Sequence, residues 1–534
     1  MKRTILYLAL VAALFVDSHA QTAEPSRPRT LPTPTPTPAA NTTPLPANGQ
    51  TLAELQANIR SRLLRPELRR GRVGVKIASL ATGKEIFAAD ADKYFMPASN
   101  MKNFTVAAAI EKLGPDYRIV TSVFAQSPPD ASGTIRGNVR VYGRGDVSIS
   151  TAFFGTSPND PETYYKGIDR LADAIAAAGV KRIEGDLIGD DTYFSGDALP
   201  GTWEWDDLQW YYGAEVSALP VNDNAVDLTV RPSGPGVQCA VNLTPINPVI
   251  RIVNTCTTTA AGTLRTLRIE KLINQNVIEI SGNLPVGNNG FSGSVTVTRP
   301  ADLFAFLLRQ RLERRGVAIT GTAKAISKTN GAASPLEMTE IAKLTSPPLS
   351  EIAGKTLKPS QNMYTETLLR TLGENERIKA IFPADRPQPT SEALGLSSVH
   401  TFLTGIGLPE DAIIQHDGSG LSRHDLITPE AVVRLYTYMA RESRNAQVWR
   451  DALTIAGVDG TLKNRFVGTR ASGNVRGKTG TIDQVSALSG YVTTAGGDQL
   501  AFSFVVNGVN EGPVRTRAID DIVLMLAGFT GKID

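Results

Sequence analysis

Met96-Pro-Ala-Ser99-Asn-Met-Lys102, running on into Val106-Ala-Ala-Ala-Ile110, is the stretch on which the reading of this chain turns. The alanine-rich run favours helix and Pro97 suits its first turn, so Ser99 and Lys102 fall three residues apart on one face at the N-terminal end. A serine hydroxyl needs a base to become a nucleophile, and a neutral lysine amine one turn away can supply it. Alone the pattern is weak, because a capping serine followed by a solvated lysine reads the same way. Two later patterns add weight. Ser360-Gln-Asn362, just before a helical stretch from Tyr364 to Leu372, sets a hydroxyl and a carboxamide where both can face a cleft. One can relay a proton while the other holds a substrate amide, although an ordinary helix cap is the plainer reading. Arg476-Gly-Lys478-Thr479-Gly480-Thr481 opens a β-rich segment. Lys478 and Thr479 on an edge strand suit a carboxylate, and Gly480 leaves room for a substrate alongside the strand.

Working outward, the two ends of the chain read alike. Leu52 to Leu64 is amphipathic, Val73 to Leu80 alternates as a strand, Thr82-Gly-Lys84 turns, and Glu85 to Ala88 returns. Near the C-terminus Val475–Ile482, Ala487–Thr493 and Gln499–Val506 form a three-stranded meander, closed by a helix from Arg517 to Phe529. These strands are expected to share one sheet with the opening hairpin. From about Pro115 to Ser334 the pattern changes to many short β-rich segments, with helices near Tyr165–Ala178 and Pro300–Arg315. The expected organisation is a domain built from 50–115 and 335–534, an insertion from 116–224 and 293–334, and a small β-rich module at 225–292 nested within it.

Composition places the chain among ordinary globular proteins, with 41% hydrophobic residues and a formal net charge of +3 over 534 residues. So small a charge gives no electrostatic case for nucleic acid. Four scattered histidines argue against a protein-only zinc site, and no cofactor or metal is implied. Lys2 and Arg3, an apolar run from Ile5 to Val16 and Ser18-His-Ala20 read as a signal peptide over 1–20, with an uncleaved anchor as the alternative. Residues 21–49 form a Pro/Thr-rich spacer that includes Thr30-Leu-Pro-Thr-Pro-Thr-Pro-Thr-Pro38. Export to a periplasm or cell-wall space follows as an expectation. Cys239 and Cys256, the only cysteines, suit one disulfide in an oxidising compartment, with two buried thiols as the alternative.

The three motifs in this order resemble those of the penicillin-recognising serine enzymes, which carry S-x-x-K, S-x-N and K-T-G. About 258 residues separate Lys102 from Ser360. That long insertion resembles the class C low-molecular-mass penicillin-binding proteins, the D-Ala-D-Ala carboxypeptidase/endopeptidase family. Gly143-Arg-Gly-Asp146, Asp190-Asp-Thr-Tyr-Phe194, Ser217-Ala-Leu-Pro-Val-Asn-Asp-Asn224, Asp417-Gly-Ser-Gly-Leu-Ser-Arg423 and Ala456-Gly-Val-Asp-Gly-Thr-Leu462 are similar to that family too. The resemblance runs from residue 50 to the end. It implies an α/β (α+β) fold: a β-lactamase/transpeptidase-like domain, with an antiparallel sheet flanked by helices and two nested inserted domains.

It also implies roles. Ser99 would attack the carbonyl of the penultimate D-Ala and Lys102 would take its proton. Ser360 and Asn362 would shape the cleft, with Ser360 helping to pass the proton to the leaving amine. Lys478 and Thr479 would hold the terminal carboxylate. The oxyanion would sit on the N–H groups of Ser99 and Thr481, one such donor being worth about 3–4 kcal/mol. Lys102 serves only when neutral, which calls for burial and a nearby cation, with Lys478 the candidate. Arg423 and the Asp190/Asp191 pair fall where the family contacts the stem peptide's side-chain carboxylate and amine. Asp483 is a departure; an acid there favours a free amine in the substrate. The implied partners are peptidoglycan stem peptides and β-lactam antibiotics, with peripheral membrane association and oligomeric state left open.

Three rivals remain at this point. A β-lactamase would use the same serine and lysine, but no Glu-x-x-Leu-Asn element lies between the first two motifs. A Ser-His-Asp hydrolase would draw on His416-Asp417 or His424-Asp425, yet Ser419 lies outside a Gly-x-Ser-x-Gly elbow. A non-catalytic cell-wall binding module would have lost the serine or the lysine, and both are present.

Overall fold

The strand Arg72–Ser79 pairs along its whole length with Gln499–Asn507, Arg72 opposite Asn507 and Ser79 opposite Leu500. The first and last thirds of the chain therefore build one sheet, as the matching patterns at the two ends led us to expect. In this computed structural model, which describes residues 50–155, 160–327, 338–382 and 387–533, the sheet has six strands. Their order is Glu85–Ala89, Arg72–Ser79, Gln499–Asn507, Val485–Thr493, Arg476–Ile482 and Thr454–Ile455, all antiparallel. The signal peptide and spacer read from the sequence lie outside the described residues.

Strand alternation sorts the sheet's side chains onto two cores. Leu488, Val492, Leu500, Phe502, Phe504 and Val506 face the helices Leu52–Leu63 and Gly512–Gly528. Ala487, Tyr491, Ala501 and Val505 face the helices Lys102–Leu113, Asn362–Lys379 and Pro429–Arg441. The helix Leu52–Leu63 is started by a capping box, Thr51 accepting from the Glu54 N–H while Glu54 reaches back to the Thr51 N–H. Among the described residues no helix is long and apolar enough to cross a membrane.

The chain between the Ser99 helix and the Ser360 loop builds a second, mixed sheet, ordered Ala323–Ile326, Leu187–Asp190, Val139–Tyr142, Val120–Ala125 and Thr339–Thr345. The strand Thr339–Thr345 pairs with Val120–Ala125, so it belongs with the insertion although it lies past the boundary drawn at 335. The 225–292 stretch is all β, and Cys239 and Cys256 are disulfide-bonded within it. Its buried Val226, Leu228 and Ile278 share one apolar core with Val139, Leu187 and Leu307 of the surrounding insertion. The module is nested in sequence, but its hydrophobic core is not separate.

Candidate active site

Ser99 lies on a short 3₁₀ turn, Ala98–Met101, and Lys102 opens the α-helix that follows. Ala98 takes a left-handed φ of 47° to make this turn. The three-residue spacing puts the two side chains together, with Lys102 Nζ 2.9 Å from Ser99 Oγ. The same amine donates to Asn362 Oδ1 at 2.5 Å and to the Ser419 carbonyl at 2.7 Å. The first two motifs are thus joined through one nitrogen. Ser360, in a left-handed conformation with φ 66°, presents its hydroxyl to Lys478 Nζ at 2.8 Å. Between Ser360 and Asn362, Gln361 caps the helix by accepting from the Met363 N–H, and its amide donates to Asp223 at 3.1 Å. Asp223 also accepts from Tyr364 and Ser150, which ties the insertion to the middle motif.

The strand Arg476–Ile482 pairs fully with Val485–Thr493 on one side. On the other side only Arg476 and Gly477 meet a strand partner, Ile455 and Thr454. From Lys478 onward that edge has no strand partner among the described residues, the arrangement a peptide needs in order to add to a sheet. Thr479 Oγ lies 2.7 Å from Thr461 Oγ, in the Ala456–Leu462 stretch. Gly480 has a different reason from the one expected. A Cβ there would lie 2.6 Å from the Pro97 carbonyl and 3.1 Å from Asn100 Nδ2, so glycine lets the strand close on the Ser99 turn. Asn100 completes that contact by donating to the Lys478 carbonyl at 3.1 Å.

Both lysines are wholly buried. Burial pushes the Lys102 amine down to about 7, against the opposing pull of Asp417, Glu366 and Asp425. Burial first and Lys102 second hold the Lys478 amine well below the ordinary lysine range, and the same repulsion between the two amines acts on Lys102. Glu366 is itself raised to about 8, by burial and then by Asp417. The Asp417-Gly-Ser-Gly loop against Lys102 had no role that its sequence alone suggested. Its contribution comes through a backbone carbonyl and buried carboxylates, which no side-chain motif announces.

The outer contacts divide. Arg423 and Asp483 come together, Arg423 Nη1 donating to the Asp483 carbonyl at 3.2 Å. Asp190 and Asp191 do not belong with them. Asp190 is wholly buried and ion-paired with Arg140 at 2.5 Å. Asp191 accepts from Ser217 Oγ at 2.9 Å and the Ala218 N–H at 2.5 Å, and burial raises it to about 7. Both hold the insertion together, which corrects their assignment to substrate. The acid beside Arg423 is instead Glu204, 2.8 Å from Arg423 Nε, with Asp206 and Asp207 close to it. No charge-transfer triad forms around Ser419: its hydroxyl donates to Asp417 at 3.1 Å, and the His416 and His424 rings pack on each other at 5.6 Å.

Residues 55–528, almost the whole described chain, match the D-Ala-D-Ala carboxypeptidase 3 (S13) family. The chain belongs to that family. It is a serine-type D-Ala-D-Ala carboxypeptidase, as the class C resemblance implied. It is similar to a D-alanyl-D-alanine carboxypeptidase of Actinomadura sp. (strain R39), 35% identical over 91% of this chain and 86% of the relative. A penicillin-sensitive carboxypeptidase A of Dictyostelium discoideum is 29% identical over 83% of this chain and 84% of its own. The crystal structure of penicillin-binding protein 4 (dacB) from Haemophilus influenzae shares the fold, with a TM-score of 0.74 at 23% identity over 88% of this chain and 100% of that one.

Proposed function

We propose that Ser99 is the nucleophile of this S13 member and is acylated by the penultimate D-Ala of a peptidoglycan stem peptide. One observation carries the reading: Lys102 lies 2.9 Å from Ser99 Oγ while buried enough to be half neutral near pH 7. A neutral amine can take the hydroxyl proton as the Ser99 oxygen attacks the substrate carbonyl, a base matched to the working pH. The peptide lies along the open edge from Lys478 to Ile482. Its terminal carboxylate sits on Lys478 and Thr479, and this negative charge favours the protonated form of a lysine that burial otherwise disfavours. Ser360, held by Lys478, passes the proton to the departing D-Ala amine. Asn362 orients the Lys102 amine through Oδ1 and is itself fixed by donating to the Tyr212 carbonyl at 2.8 Å. Water then hydrolyses the ester.

A β-lactam presents the same carboxylate and a strained amide, so it acylates the same serine and leaves slowly. Cross-linked stem peptides differ from terminal ones only in the leaving amine, so endopeptidase action falls within the same chemistry. Export to the periplasm or cell-wall space, where that substrate lies, is part of the proposal and is supported by the N-terminal sequence pattern. The test is labelling with a fluorescent penicillin beside the Ser99→Ala variant, read by intact mass and peptide mapping. A stable adduct on the Ser99 peptide, absent from the variant, is the expected result. Rapid drug turnover without an adduct would indicate a β-lactamase, and neither adduct nor turnover in folded protein would leave a binding module.

A further inference from the structure

Against Lys102 the Asp417-Gly-Ser-Gly-Leu-Ser422 loop folds around its own first side chain. Four donors converge on the Asp417 carboxylate: the Gly420 N–H at 2.6 Å, the Trp203 indole at 2.7 Å, the Ser422 N–H at 2.9 Å and Ser419 Oγ at 3.1 Å. Three of them belong to the loop itself, so the carboxylate acts as the hub that gives the loop its shape. That shape is what aims the Ser419 carbonyl at Lys102 Nζ, 2.7 Å away. Gly420 can be nothing larger here, with φ 80° and a Cβ position 1.9 Å from the Ala98 carbonyl, which presses the loop onto the turn carrying Ser99. The fourth donor, Trp203, precedes Glu204, the partner of Arg423 at the cleft mouth.

We propose that Asp417 is a positioning residue for Lys102: its carboxylate holds the Ser419 carbonyl against the amine and provides the negative charge that faces it. The proposal rests on Lys102 acting as the base for Ser99. Asp417 is wholly buried, where a charge acts at short range with little screening. Its two acidic neighbours are held toward the protonated form. Glu366, on the helix Asn362–Lys379, takes the Gly418 N–H with both oxygens and is raised to about 8. Asp425 takes the His416 N–H at 2.6 Å and is raised well above the carboxylate range by burial and by Asp417. Around Lys102 the remaining groups are Ser99, Asn362 and Lys478. Farther out, Glu392 feels Asp417, and the buried Arg370 lies one turn beyond Glu366. Of the carboxylates that pull on the amine, Asp417 acts most strongly, and it is the one fixed by four donors.

The test is the pH dependence of acylation by fluorescent penicillin in wild type, Asp417→Asn and Glu366→Gln, with far-UV circular dichroism to confirm folding. Removing the Asp417 charge lets Lys102 lose its proton more readily. The acid limb of Asp417→Asn should therefore move to lower pH by about one unit, the lower end of what a close opposite charge does. Its plateau rate should fall about tenfold, in keeping with a base whose supporting carbonyl is no longer held. Glu366, raised to about 8, is mostly protonated where the limb falls, so Glu366→Gln should move the limb less than Asp417→Asn does. A folded Asp417→Asn with an unmoved limb would overturn the proposal, since a purely structural residue lowers the plateau alone. Should Asp417→Asn fail to fold, Glu366→Gln still decides, because a limb displaced by about a full unit in that variant places the governing charge on Glu366. A wild type that fails to label, or that labels in Ser99→Ala, would instead sink the reading on which this one rests.

Discussion

Replacing Lys102 with methionine should abolish acylation and also flatten the pH dependence of stability above neutrality. The buried amine titrates near 7 in the folded chain, whereas an unperturbed lysine titrates near about 10.4. Between those values the unfolded chain holds a proton that the folded chain has released, so stability rises with pH. Below pH 7 both states are protonated and the slope from this group vanishes. Lys102 thereby disfavours folding by about 4 kcal/mol at pH 7 and by about 2 kcal/mol at pH 9. Methionine removes that penalty but leaves the Asn362 carbonyl and the Ser419 carbonyl without a donor, at about 1–3 kcal/mol each. The two effects nearly cancel at pH 7, so absolute stability is a poor readout and the slope is the informative one. Wild type should gain about 2 kcal/mol more than Lys102→Met between pH 7 and 9. Relief of Lys478, no longer facing a second amine, acts in the same direction. Urea denaturation at pH 7, 8 and 9, followed by tryptophan fluorescence and far-UV circular dichroism, measures this. Equal gains in the two proteins would refute a Lys102 titrating near 7.

Asn362→Asp puts a carboxylate where an amide oxygen now lies 2.5 Å from the amine, which favours charged Lys102. Penicillin labelling should fall at least about fivefold at pH 7 and recover toward pH 9, the limb having moved up by about 1–3 units; labelling that is equally weak at both would contradict this. Gly480→Ala forces the strand off the Pro97 carbonyl and should cost about 1–3 kcal/mol along with most of the acylation rate, read by thermal melting and labelling. Changing Cys239 and Cys256 to serine opens a link spanning 17 residues and should cost about 3 kcal/mol, while the labelling rate of the folded protein stays at the wild-type value.

Those perturbations differ in how far the sequence announces them. The meander Arg476–Ile482, Val485–Thr493 and Gln499–Asn507 was legible because strand alternation and turn residues are local signals. The Ser99–Lys102 pair was legible for the same reason, since three-residue helical spacing brings those side chains together without help from the rest of the chain. Three motifs in a fixed order then identified the chemistry, although hundreds of residues separate them. The strand Thr339–Thr345 was assigned to the wrong side of a boundary because pairing partners are not written in a strand's own pattern.

What the tertiary structure alone decided is which charges meet. The resemblance placed Asp190 and Asp191 at the substrate, but the fold turns one onto Arg140 and the other onto Ser217 and the Ala218 N–H. The Lys102 amine takes its character from burial and from Asp417, Glu366 and Asp425, which lie from 264 to more than 300 residues away in sequence. Desolvation depends on everything packed around a group, and a backbone carbonyl such as that of Ser419 has no residue-type signature. The sequence by itself determined that Ser99 and Lys102 would meet, and it determined the fold's periodic elements. Only the packed chain could determine the base's protonation and the true partner of Arg423, because both are set by distances between residues remote in sequence.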